Sequence, residues 1–375
     1  MRVGLNLTFL GEGSGGVGRY GLELARALAE RDDVELEIFT TRDEPAGLRD
    51  ASWATSARFT QLPVRRSSRA SYGAAVFVGI PMLAVKHRLD ILHSLANIGP
   101  VDCPRVKCLI TVHDLIWMRA GRDWDDVAAI AQMRRFSSMT VPRADRVITD
   151  SEASSAGIAS VLGVSPSKID VVPLGVRVDD AVPHASEAEI RNRFRLRDGP
   201  IVLCVSQKRP YKRQDALIRA LEHLPPDTQL VLPGAPTEYE VKLRAIALER
   251  GLSDQVLFPG WVSELELEGL YRIADCFAMP SELEGFGLPV LEAMARGVPV
   301  ACSNRSALPE VAGDAAILFD PDDQSAVTSS LARLLSDRML RERLILAGRK
   351  RARRFSWAAT ADLTVESYRA ALAAD

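Results

Sequence analysis

Short apolar runs alternate with longer amphipathic segments along most of the chain. Val3–Leu10, Val34–Thr40, Ile91–His93, Lys107–Val112, Arg146–Thr149 and Ile169–Val172 read as strands, separated mostly by helix-length segments. In the segment that opens near Val17, Tyr20, Leu24 and Leu28 fall on one helical face. The pattern lapses over residues 177–199, which are polar and weakly patterned, and resumes at Ile201–Val205. Further strands are expected at Gln229–Leu232, Val256–Phe258, Cys276–Met279, Val298–Ala301 and Ala316–Phe319, with a helix near Gln214–Leu224. Ser356–Ala373 reads as a last amphipathic helix. Strands alternating with helices predict an α/β protein with doubly wound parallel sheets. The expected organisation is a domain over residues 1–176, a second over 177–355, and a helix over 356–375 that packs back towards the first. Ligands of open parallel sheets bind at the carboxyl ends of the strands, so two such domains are expected to face a central cleft.

Composition changes this picture little. The 375 residues are 47% hydrophobic and 26% charged, ordinary for a globular chain that buries a full core. A net charge of -2 gives no global field for nucleic acid, and no nucleic-acid partner is expected. Cys103, Cys108, Cys204, Cys276 and Cys302 form no Cys-x-x-Cys pair, which fits a reduced, cytoplasmic chain. The run Val3–Leu10 enters glycines and lacks the features of an export signal, and no apolar run is long enough to span a bilayer.

The chemistry concentrates in Ser281–Gly297. A strand ends at Met279-Pro280, a glycine loop follows, Pro289 suits a first helical turn and Gly297 a helix stop. Gly285 and Gly287 let backbone approach a ligand, and the amides of Gly285, Phe286, Gly287 and Leu288 stand where a helix start holds phosphate. Glu284 can accept hydrogen bonds from sugar hydroxyls, and Glu292, about one turn into the helix, from a second polyol such as ribose. Acids spaced around a phosphate loop suit a molecule with a sugar at each end and phosphates between. The same residues would also fit an acidic surface loop with a solvated helix face, or a glycosidase pair, although that chemistry needs no phosphate loop.

Lys208, Arg209, Lys212 and Arg213 surround Pro210 just after the strand Ile201–Val205. Cations there would neutralise a departing diphosphate. Positive charge is unfavourable at a helix start, which argues against a merely solvated turn. Residues 11–16 match Gly-x-Gly-x-x-Gly between strand and helix, a weak dinucleotide signal, since Thr40-Thr41 and not an acid ends the second strand. His113 follows the strand Lys107–Val112 at the ligand edge, either as a structural histidine or as part of a site. Asp123-Trp124-Asp125 and Asp320-Pro321-Asp322 read as surface pairs, and no His/Cys cluster has zinc spacing, so no metal and no cofactor is expected. Arg58, Arg65, Arg66, Arg69, Lys86 and Arg88 flank the apolar run 73–85, either as an internal helix with basic flanks or as a peripheral contact with the inner face of the membrane.

The Glu284–Glu292 stretch resembles the glutamate–seven residues–glutamate signature of retaining glycosyltransferases of the GT-B fold, family 4 above all. The resemblance extends over Gly15-Gly16-Val17-Gly18-Arg19-Tyr20, Thr111-Val112-His113-Asp114, Val172-Pro173-Leu174-Gly175-Val176, Arg209-Pro210-Tyr211-Lys212, Phe258-Pro259-Gly260-Trp261-Val262 and Ala307-Leu308-Pro309-Glu310-Val311. The first two segments resemble mannosyltransferases of O-antigen and exopolysaccharide assembly. The resemblance implies two Rossmann-like domains and retaining transfer of a hexosyl group, mannosyl favoured. The implied donor is a GDP- or UDP-sugar, and the acceptor a glycan, a lipid-linked molecule or a small molecule. It implies that Glu284 and the following amides hold sugar and phosphates, that Lys212 contacts the diphosphate, and that Glu292 holds ribose. It also implies that Gly16 lies in a loop closing over the donor phosphates, and that His113 contacts the donor sugar from the other domain. Gln207 stands where many relatives carry an arginine, so Lys208 or Arg209 is the candidate for the second phosphate cation. Two alternatives remain: a nicotinamide-dependent oxidoreductase using the first glycine loop, and a non-catalytic sugar-nucleotide binder.

Overall fold

The structure, a computed structural model, describes residues 1–11, 13–119, 127–178 and 182–374. Its described residues form two compact units, one of residues 1–119, 127–175 and 356–374, the other of residues 176–178 and 182–355.

The first unit is built on seven strands: β1 (Arg2–Asn6), β2 (Glu35–Thr40), β3 (Ala57–Gln61), β4 (Ile91–Ser94), β5 (Lys107–Thr111), β6 (Arg146–Thr149) and β7 (Ile169–Val171). They lie in the order β3-β2-β1-β4-β5-β6-β7, and every pairing is parallel. The inner strands are buried on both faces, which is why they read as apolar runs and not as alternating ones. The helix Gly15–Ala29 buries Tyr20, Leu24 and Leu28, the stripe the sequence marked, the two leucines each worth about 1.5–3 kcal/mol for their burial.

The helix Trp357–Ala373 completes this unit. Ser356 caps it, Thr360 Oγ1 donates to Pro173 O at 2.8 Å, and Arg369 pairs with Asp33 at 2.7 Å. Inside, a chain of buried polar groups runs from Tyr368 Oη through His93 Nδ1 (2.8 Å) and His93 Nε2 to Thr111 Oγ1 (2.8 Å), and on to Tyr20 Oη (2.9 Å). Gly175 packs so closely on Trp357 that a Cβ there would lie 2.3 Å from its backbone nitrogen.

The second unit has six parallel strands: β8 (Ile201–Leu203), β9 (Gln229–Pro233), β10 (Val256–Gly260), β11 (Cys276–Met279), β12 (Val300–Ser303) and β13 (Ala316–Phe319). Their order is β10-β9-β8-β11-β12-β13. The order reverses between β8 and β11, and the loops leaving those two strands therefore diverge around a crevice. Those loops are residues 204–213 and 280–287. Ser186 and Ser263 start flanking helices with reciprocal capping by Glu189 and Glu266.

Sequence and structure differ in informative places. β3 escapes the apolar pattern because it is an edge strand, half exposed along its length. The apolar run 73–85 is one helical stretch, Arg69–Ala74 then Ile80–Lys86, joined by a single π turn over Ala75–Gly79, with Pro81 in the first turn of its second part. No helix of the described residues is long and apolar enough to cross a membrane.

Candidate functional site

At the switch point of the second sheet, the two loops are pinned to one another. Glu282 N donates to Tyr211 O at 2.8 Å, and Arg213 reaches Glu282 at 3.3 Å. Pro210–Lys212 forms a single 3-10 turn, and Arg213 turns left-handed to start the helix Gln214–Ala220. That turn aims Lys212 across the crevice. Its Nζ lies 2.7 Å from Glu284 Oε1, and both side chains are about nine-tenths buried, at 12% and 10% exposure. Glu284 is held at its backbone by Ser306, whose Oγ accepts from Glu284 N at 3.3 Å and donates to Glu284 O at 2.7 Å.

The helix Leu288–Ala295 begins directly after this loop. Gly287 sits at φ +103°, a left-handed conformation that favours glycine, and a Cβ would stand 2.6 Å from Leu308 Cδ2. Pro289 lacks the N–H that a first turn leaves without an intrahelical acceptor. The first-turn amides carry the positive end of the helix dipole towards the crevice. Glu292, one turn further, is 4% exposed, and its Oε2 accepts from Tyr271 Oη at 2.8 Å. Phe286 is buried against Phe355, the ring centres 5.9 Å apart.

The cations that the sequence grouped are separated by the fold. Lys208 does not join the Lys212–Glu284 pair. It is fully buried, its Nζ donates to Gly234 O at 2.6 Å at the end of β9, and burial pulls its ammonium down to about 8. Arg209 is buried and Gln207 exposed. Arg213 also reaches Asp322 at 2.6 Å, and Arg305 bridges Asp320 and Asp322 at 2.8 and 2.6 Å. The second Asp-x-Asp pair is thus held by two arginines. Asp123 and Asp125 of the first, like Glu12, lie outside the described residues. Among the described residues, no group of three or more His, Cys, Asp or Glu side chains is placed to hold a metal ion.

In the first unit the glycine loop presents Gly15 and exposed Gly16 at the start of the helix Gly15–Ala29, with open space where their Cβ atoms would be. Thr40, not an acid, ends β2, and Asp43 Oδ2 instead accepts from Arg66 N at 2.6 Å. The ribose-binding acid of a dinucleotide site therefore has no counterpart there. His113 follows β5 and is buried. Its Nδ1 stands 2.7 Å from Asp150 Oδ2, and its Nε2 3.0 Å from Leu95 O. Sequence reasoning missed Asp150, Tyr271 and Ser306. Only the fold brings them to their partners from distant segments.

Comparison with known proteins agrees with this architecture. Residues 14–180 match the family described as Glycosyltransferase Family 4, and residues 186–351 that described as Glycosyl transferases group 1. The O-antigen chain mannosyltransferase B of Escherichia coli is 28% identical, over 94% of this chain and 96% of the relative. The D-inositol 3-phosphate glycosyltransferase of Xylanimonas cellulosilytica is 30% identical, over 95% and 91%. Among solved structures, Anabaena HepE in complex with UDP and glucose shares the fold, with a TM-score of 0.78 at 18% identity over 99% and 100% of the two chains. The chain belongs to the family 4 glycosyltransferases and is an enzyme of the GT-B fold.

Proposed function

We propose that this glycosyltransferase moves a hexosyl group, mannosyl by preference, from a GDP- or UDP-sugar to a hydroxyl of a glycan, lipid-linked or small-molecule acceptor, with retention at the anomeric carbon. The observation that carries the proposal is the Lys212–Glu284 contact at the switch point, beside a helix start shaped by Gly287. Lys212, with Arg209, neutralises the diphosphate as it leaves. The amides of residues 285–288 hold its oxygens, Glu284 accepts from sugar hydroxyls and Glu292 from ribose. Gly16 borders the phosphates, and His113 contacts the sugar. Charge that develops on the leaving group meets fixed donors in a site poor in water, where each is worth more than in bulk solvent.

The anomeric carbon loses its bond to the phosphate oxygen and gains one to the acceptor oxygen on the same face. The acceptor proton passes to the departing phosphate. The counter-charges come from side chains and amides, so the scheme needs no metal. The mannosyl preference draws on the name of the Escherichia coli relative, and the nucleotide-sugar donor on the ligands of HepE. We place the reaction in the cytoplasm, at the inner face of the membrane where the acceptor is lipid-linked. Val78 and Met82, exposed on the stretch Arg69–Lys86, support that contact.

A panel of sugar nucleotides, screened for thermal stabilisation and slow hydrolysis with and without EDTA, tests the donor site. GDP-mannose is expected to give the largest shift, EDTA to change nothing, and Glu292→Ala to abolish the response. A panel that leaves the melting temperature unmoved throughout would sink the assignment. The anomeric configuration of the first product, read by NMR, decides retention.

A further inference from the structure

The carboxyl edge of the first sheet holds a buried pair, of which the transfer scheme uses His113 and leaves Asp150 without a role. His113 and Asp150, at the ends of β5 and β6, are 6% and 2% exposed. Leu95 O can only accept a hydrogen bond, so the Nε2 at 3.0 Å from it carries a proton. Nδ1 lies 2.7 Å from Asp150 Oδ2, a distance at which two lone pairs would repel, so a second proton sits between them. An aspartic acid is ordinarily more acidic than an imidazolium by more than two pH units, about 3.9 against about 6.5, which leaves that proton on the ring. Burial opposes the charge on both partners; it raises the Asp150 carboxyl above its ordinary range, against the pull of the His113 charge and hydrogen bond. For His113 the Asp150 carboxylate and the Leu95 carbonyl outweigh it, and the imidazolium is held above its usual range.

Every element packed on the ring is consistent with this state. The Tyr20 ring, from the helix Gly15–Ala29, meets it edge-on at 4.7 Å, and burial and Asp150 keep that phenol neutral. His93 on β4 is kept neutral by burial and by the charge of His113. Asp114 adds a favourable charge from the adjacent position. Ser154, on the helix Glu152–Leu162, donates to His113 O at 2.9 Å, and His113 N donates to Asn97 Oδ1 at 3.2 Å. One ring thereby ties together the loops that leave β4, β5 and β6.

We propose that Asp150 is a positioning residue that keeps His113 doubly protonated, so that a single imidazolium fixes these loops and sets the charge that the ring offers the donor sugar. The last clause rests on the proposed role of His113. The first does not.

Asp150→Asn tests it with little change of shape. The amide can donate to Nδ1 while Nε2–H stays on Leu95 O, so the hydrogen bonds persist and the charge goes. In the wild-type protein, nitrogen-15 NMR of His113 is expected to show two protonated ring nitrogens at and above neutral pH. Asp150→Asn is expected to show the neutral Nε2–H form, with kcat lower by about 10- to 100-fold, by analogy with the loss of a carboxylate that orients a metal-bound histidine. Donor KM is expected to move much less, and Asp150→Glu to restore part of the rate. A wild-type His113 with one unprotonated nitrogen at neutral pH overturns the proposal. So does an Asp150→Asn protein with unchanged ring charge, or one whose kcat per folded molecule equals wild type. If Asp150→Asn does not fold, the wild-type titration alone decides. A charged His113 in a protein that no sugar nucleotide stabilises would keep this inference and remove the donor reading instead.

Discussion

Lys208 and Lys212 are four positions apart and opposite in circumstance. The run of cations around Pro210 was visible in the sequence. Which of them faces the crevice was not, because one 3-10 turn and one left-handed arginine decide it. Lys212→Met should leave the Glu284 carboxylate buried without its ammonium and destabilise the second unit by about 3–5 kcal/mol. Chemical denaturation measures this, and a loss under about 1 kcal/mol would mean that water already screens the pair. The histidines make a prediction of opposite signs. Burial holds His93 neutral down to about 3, so the folded state binds fewer protons there than the unfolded chain, and stability falls as pH drops below about 6.5. His113 is raised, so the folded state binds more protons there. Its contribution is complete below about 6.5 and is lost as pH rises through its folded value. Burial also raises Asp150, whose contribution is lost as pH rises through its folded value and so flattens the acid side. The stability of the first unit to urea should therefore fall off above about pH 6.5 and, less steeply, below it, and a curve rising steadily from acid to alkali would contradict the charge assignments.

At the scale of elements, the helix Leu288–Ala295 shows what patterning can and cannot reveal. Glycine, proline and the spacing of two acids are enough by themselves to place a loop and a helix at the edge of a sheet. They did not show that Glu292 turns inward to Tyr271, because that tyrosine arrives from the separate helix Glu264–Ile273. Gly287→Ala should strain both the backbone at φ +103° and the contact with Leu308, at a cost of about 1–3 kcal/mol. Its larger effect should fall on donor affinity, since the same turn sets the direction of the first amides. Calorimetric titration of a sugar nucleotide checks this, and unchanged affinity in a stable Gly287→Ala protein would detach the helix start from binding. β3 and the π turn in Ala75–Gly79 were illegible for a simpler reason: neither an edge strand nor a one-residue change of helical register leaves a mark in the apolar period.

At the scale of the whole molecule, strand order and the match to family 4 agree on two doubly wound units, and the sequence pattern contained both. What it could not show is that the polar chain from Tyr20 through Thr111 and His93 ends on Tyr368, because hydrogen bonds between distant segments have no period to read. A chain ending at Phe355 should lose amide protection in β4 and β5 while β8 and β11 keep theirs, by hydrogen exchange. Equal loss in both sheets would show that the two units unfold as one. The membership of Trp357–Ala373 in the first unit has a further result for biosynthesis. Translation delivers the second unit's sequence before the final piece of the first emerges from the ribosome. The nascent amino-terminal half must therefore wait, with His93 lacking its tyrosine, until the whole second unit has been synthesised.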